Sequence, residues 1–80
     1  MNTIRVCAFG PLTEIIGEVP IELGVELSVS AADLQSELLR RFPGLGERQY
    51  RLAVDERFVE GEERVGGGSE VALLPPFGGG

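Results

Sequence analysis

The sequence has no histidine, no lysine and a single cysteine, Cys7. Each absence removes a class of chemistry. Without His or Lys there is no Ser/His or Cys/His nucleophile pair, no Schiff base, and almost no way to ligate a catalytic metal. One cysteine cannot form an internal disulfide, and no Cys/His set exists to hold zinc. Long hydrophobic runs are missing too. No segment approaches the ~20 apolar residues of a membrane span. The first apolar run, Val6 to Phe9, is too short for a secretory leader and has no lysine-rich lead. The expected location is therefore a reducing cytoplasm. Positive charge is scarce as well: seven basic residues, all arginine, face thirteen acidic ones, for a formal charge of −6. Nucleic acid and anionic membranes call for a basic face, so neither is an expected partner. The acidity fits two readings, simple solubility or attraction to a basic protein surface.

What is present suits one small domain. Eighty residues with 42% hydrophobic content exceed the apolar content of a disordered chain, but a domain of this size buries only about 60% of its unfolded surface. Residues 3–9 alternate, with Ile4, Val6 and Ala8 on one side and Arg5, Cys7 and Phe9 on the other, which predicts a strand. Gly10-Pro11 stops it and opens a short helix bearing Leu12, Ile15 and Ile16, with Gly17 as terminator. From Val19 to Val29 strict alternation predicts one long strand. Its inner face carries Val19, Ile21, Leu23, Val25, Leu27 and Val29. Glu22, Glu26 and Pro20 mark it as a protected edge.

Ser30 and Asp33 resemble a capping box, so a helix is expected from Ala31, with Ala31, Leu34, Leu38 and Phe42 as its apolar stripe and Leu39 alongside. Pro43-Gly44 ends it. Leu52 and Val54 alternate with Arg51 and Ala53, Asp55-Glu56 reads as a turn into Phe58-Val59, and Gly61 to Ser69 as a polar, glycine-rich loop. The apolar run Glu70 to Leu74 predicts a central strand covered on both sides or facing a partner. Strands with one substantial helix imply an α+β fold. The domain is expected over residues 1–74, with residues 75–80 as a flexible tail.

Few residues invite chemistry. Cys7 in an apolar strand reads as a small hydrophobe. Arg40-Arg41 suits the solvated end of a helix, where cations favour the dipole. Glu60, Glu62 and Glu63 lack the ordered spacing of a calcium loop. Gly66-Gly67-Gly68 is followed by no Lys and by a strand, so a mobile hairpin loop is expected there rather than a phosphate cradle. The closing Gly78-Gly79-Gly80 leaves two readings. It is a floppy end or a cloning remnant, or it is a thread without side chains that can enter a narrow tunnel and offer its carboxylate to another enzyme. Pro75-Pro76 would then project it stiffly from the body.

The closing segment SEVALLPPFGGG resembles the end of the molybdopterin synthase small-subunit family, within the ThiS/MoaD ubiquitin-like sulfur carriers. The opening IRVCAFGPLTEIIG and the segment LAVDERFVEGEERVGGGSEV resemble that family's first strand with its helix and its hairpin with its loop. The resemblance implies a β-grasp fold, a mixed sheet packed on one main helix. It implies a sulfur carrier with no independent active site, no bound cofactor and no metal. An E1-like adenylating enzyme would use ATP on the carboxylate of Gly80, a sulfur donor protein would convert it to a thiocarboxylate, and Gly79 would thread the channel. The acceptor would be a pyranopterin precursor on the synthase large subunit, in a heterotetramer. Docking would use Phe9, Phe58 and Leu74 on the outer sheet face, followed by Pro75, Pro76, Phe77 and Gly78. The strand pattern independently sets Phe9 and Leu74 opposite the inward residues, although Phe9 and Phe58 could also cover a lower core. Gly78 stands where the family often has a small polar residue, and the glycine triplet at 66–68 replaces a tighter acidic turn. A carrier for thiazole, cysteine or another thio-metabolite, and a ubiquitin-like modifier, share the fold and the Gly-Gly end.

Overall fold

The computed structural model describes residues 2–18 and 20–76. Strand β1 (Asn2–Ala8) buries Ile4 and Val6 completely. Gly10, at φ +62°, turns the chain into a 3₁₀ turn over Gly10–Leu12, which runs into the one-turn helix α1 (Thr13–Ile16). Thr13 Oγ1 donates to the Gly10 carbonyl at 2.8 Å and steadies that junction. Strand β2 (Ile21–Val25) returns antiparallel to β1, and β3 (Ser28–Ser30) follows.

Helix α2 (Ala31–Arg41) starts where Ser30 Oγ accepts the Asp33 amide at 3.0 Å. Its inner face buries Ala31, Leu34 and Leu38. Pro43 stops the helix, and a 3₁₀ turn over Pro43–Glu47 sets Leu45 into the core. Strands β4 (Arg51–Val54) and β5 (Arg57–Val59) form a hairpin whose two turn residues, Asp55 and Glu56, both have positive φ, 50° and 72°. That is the turn whose twist matches the strands. Strands β6 (Arg64–Gly66) and β7 (Glu70–Leu74) complete the chain.

Five strands lie in the order β2-β1-β7-β4-β5, with β1 and β7 parallel at the centre and every other pairing antiparallel. The core cluster lies between the inner face of this sheet and α2. A mixed sheet with parallel first and last strands, grasping one main helix, is the β-grasp fold.

Two expectations need correction. Of the single strand expected over residues 19–29, Val19 lies outside the described residues, pairing begins at Ile21 and breaks at Glu26–Leu27, and Leu27 is 80% exposed rather than inward. Pairing with β1 ends at Asn2–Val25, and β3 instead joins β6 in a separate two-stranded sheet. Gly61–Ser69 is likewise no plain loop. It contains β6, with Val65 fully buried. The carbonyls of Gly61 and Glu63 accept the first helical amides, Ala32 at 2.9 Å and Ala31 at 2.8 Å. The glycine triplet is pinned: Gly67 donates to the Leu27 carbonyl at 3.0 Å and Gly68 to that of Thr3 at 2.6 Å. A smaller correction concerns Leu39, which is 44% exposed and lies off the apolar stripe, beside Gly46.

Candidate docking face and tail base

The alternation that buries Ile4, Val6, Leu52, Val71 and Leu73 turns the intervening residues of the same strands outward. Residues in register across neighbouring strands share a face. One row therefore runs Cys7, Ala72, Ala53, Phe58 across β1, β7, β4 and β5. Its centre is small, so Cys7, Ala72 and Ala53 form the floor of a shallow hollow, with Phe9 and Leu74 also in its lining. Phe9 is 50% exposed and Phe58 47%, while Leu74 is half-buried. The sequence pattern therefore finds Phe9, Phe58 and Leu74 on one surface, and neither phenylalanine is sealed beneath a second layer. A hollow with a flat apolar floor and aromatic rim is shaped to receive a projecting apolar side chain.

Charge is unevenly placed on this face. Glu70, Asp55 and Glu56 border the hollow at the start of β7. At the other end Arg51 lies in register with Leu74, the last residue of β7. Its guanidinium carbon sits 3.8 Å from the centroid of the Phe58 ring. Sequence reasoning placed Arg51 on the outward side of β4 but gave it no role. The signal was its position beside outward Ala53, and the ring contact needed the hairpin register that pairs Ala53 with Phe58.

Immediately after β7 the chain leaves the sheet. The amide of Phe9 donates to the Leu73 carbonyl at 3.1 Å, extending the β1–β7 ladder by one residue. Pro75 then packs on Gly10, where an added β-carbon would lie 3.1 Å from Pro75 Cγ. Pro76 is exposed, and both prolines line a small groove with Pro11, Glu47 and Arg48. The stiff base of the tail is thus fixed against the first turn. Phe77, Gly78, Gly79 and Gly80 lie outside the described residues.

Among the described residues no three His, Cys, Asp or Glu side chains gather to hold a metal ion. Glu63 of the acidic loop pairs with Arg57 at 3.2 Å and accepts the Glu60 amide at 2.9 Å. No described helix is long and apolar enough to cross a membrane.

Comparison with known proteins agrees with this architecture. The ThiS family model matches residues 6–80. The structure is similar to a Pyrococcus furiosus protein described provisionally as molybdopterin converting factor subunit 1, at TM-score 0.85 and 21% identity, covering 96% of this chain and 100% of that one. It is similar to small archaeal modifier protein 1 of Haloferax volcanii at TM-score 0.80 and 18% identity, covering 96% and 100%. Subunits 1 and 2 of the molybdopterin-converting factor of Helicobacter pylori were solved as a complex that matches at TM-score 0.68 and 22% identity, covering 98% and 99%. At such identities the likeness is one of fold.

Proposed function

The chain belongs to the ThiS family of ubiquitin-like sulfur carriers, and from that premise we propose that it is the small, sulfur-donating subunit of molybdopterin synthase. The observation that carries this reading is that the family pattern runs through the Pro-Pro segment to Gly80. A free carboxylate resists attack because it has no acceptable leaving group. An E1-like enzyme would join the Gly80 carboxylate to the AMP portion of ATP, releasing pyrophosphate. The persulfide of a sulfur donor protein would then attack the acyl carbon, expelling AMP, and a thiol would reduce the resulting acyl disulfide, leaving the thiocarboxylate on Gly80 and a disulfide on the donor side. The charged tail would enter the large subunit, where its sulfur attacks a pyranopterin precursor.

The fold's contribution is positioning. The hollow lined by Phe9 and Leu74, with Phe58 beside its floor residue Ala53, would dock each partner in turn. Pro75, seated on Gly10, would aim Pro76, Phe77 and Gly78 at the tunnel, and Gly79 would pass where a β-carbon meets the walls. The complex of subunits 1 and 2 in the Helicobacter pylori relative supports a large-subunit partner, with which the chain would form a heterotetramer. A cycle that needs ATP and reduced thiols would run in the cytoplasm.

Intact mass spectrometry after incubation with the E1-like enzyme, ATP, a persulfide-bearing donor and a thiol reductant tests the proposal. The expected product replaces one oxygen of Gly80 by sulfur, and addition of precursor and large subunit returns the carboxylate. A Gly80 carboxyl found instead in an isopeptide bond to lysines of other proteins would make the chain a modifier. Sulfur transfer by an uncleavable fusion after Gly80 would count against any carrier role.

A further inference from the structure

Arg51 stands out among the arginines for its setting. Arg40 and Arg41 pair with Glu37, Arg57 with Glu63, and Arg64 donates to Ser28 Oγ at 3.0 Å. Arg5, Arg48 and Arg51 form no ion pair or side-chain hydrogen bond among the described residues, and of these only Arg51 lies over an aromatic ring. Its one recorded partner is the Phe58 ring, at 3.8 Å. It is exposed, and its register partner is Leu74, so an apolar side chain flanks it on each side. Stacking on the ring holds the guanidinium plane in place and leaves its N–H edges free to donate outward.

A surface that docks on Phe58 and Leu74 must also cover Arg51. Desolvating an unpaired cation at the edge of an apolar contact is costly unless an acceptor meets it. We propose that Arg51 is a specificity residue that recognises a carboxylate on the docking partner, an aspartate or glutamate set beside the entrance that receives the tail. The contact is bidentate, the arrangement in which a fixed guanidinium is strongest. At the start of β7 the hollow carries Glu70, Asp55 and Glu56, with Arg5 in register with Glu70, so the excess charge there is acidic, whereas Arg51 lies at the end of β7, beside Leu74. A partner with a carboxylate near the entrance and basic groups farther away would accept the face in one orientation only, the one that points the tail inward.

The inference rests on the docking face proposed above, so its test separates the two. Calorimetry with the molybdopterin synthase large subunit of the same organism would compare the native chain, Leu74→Glu, Arg51→Met and Arg51→Lys. Methionine keeps an apolar stem over Phe58 and removes only the charge. Arg51→Met should weaken binding roughly thirtyfold or more and flatten its salt dependence. Arg51→Lys should fall between the two, because one ammonium replaces a fork. A surface Asp or Glu of the large subunit changed to Arg should restore binding to Arg51→Glu. If Leu74→Glu weakens binding but Arg51→Met leaves affinity and salt slope unchanged, Arg51 merely covers the ring and the inference is wrong. If Leu74→Glu also binds normally, or the native chain does not bind, the docking face itself falls and the inference with it.

Discussion

Leu73 and Leu74 are neighbours on β7 with opposite surroundings. Leu73 is wholly buried beneath α2, while Leu74 is half-exposed beside Phe9 and Arg51. The same contrast runs through the sheet at Val6 against Cys7 and Val59 against Phe58, while Ala53, on the outer face beside Leu52, is small enough to be buried as floor. A strand's period of two lets one short sequence serve two ends at once. The inner set supplies the burial that a small domain needs. The outer set is free of that duty, which is why small floor residues and exposed rings can coexist there.

The pair offers the most direct way to break the comparison. Leu73→Ala should cost about 2–5 kcal/mol, a large part of the total for a chain this size. Leu74→Ala should cost about 1 kcal/mol, since much of its surface is already wet. Urea unfolding of both variants gives the answer. Equal losses would mean that the two faces are not divided between stability and docking.

A second region sharpens the contrast, because there close approach decides rather than burial. An added β-carbon on Gly67 would lie 2.2 Å from Asn2 Cβ and 2.9 Å from its Cγ. Gly67→Ala should therefore destabilise by about 1–3 kcal/mol as β1 or the β6–β7 turn shifts. Asn2→Gly in the same chain should recover much of that loss, although it gives up the hydrogen bond from Asn2 Nδ2 to the Glu26 carbonyl. Additive losses in the double variant would place the strain elsewhere. A smaller effect is expected at Ser30, which is buried and accepts the Asp33 amide. Ser30→Ala should lower the thermal midpoint by the equivalent of about 1 kcal/mol, with α2 still seated on the inner face.

Much of this was legible in the sequence for physical reasons. Period-two patterns fixed β1 and β4, Ser30 announced α2 and Pro43 ended it. The errors fell where a local pattern met a tertiary choice. Leu27 continues the alternation perfectly, yet β1 offers no pairing beyond Asn2–Val25 and the chain turns to meet β6. Arg64 to Gly66 are too few and too polar to announce a strand, and only the partner β3 makes them one. The glycine triplet reads as slack, whereas Gly67 is required by the proximity of Asn2, a contact between residues distant in sequence. For the proposed docking face, the individual outward residues could be read, but the row that assembles them needed the register of four strands.

The smallest expected effect lies at the flank of α2, where Glu37 and Arg41 line a groove beside β2 and β3. Arg40 and Arg41 donate to the Glu37 carboxylate at 2.6 and 2.8 Å. Those hydrogen bonds, Arg40's first, hold its pKa at about 2 instead of its ordinary 4.5. A carboxyl whose folded pKa is depressed adds stability above the unfolded value and loses it as pH falls through the folded one. The contribution of Glu37 should therefore be complete above pH 4.5 and fade between there and about pH 2. The group is exposed, so solvent and salt screening make the contribution small. Urea midpoints of the native chain and Glu37→Gln should differ slightly near neutral pH and converge toward pH 2, and added salt should shrink the gap. NMR titration of the Glu37 carboxyl gives the sharper reading, because it reports the group directly. A titration at the ordinary glutamate value would show that the two arginines do not hold it in solution, and the convergence of the midpoints should then be absent as well.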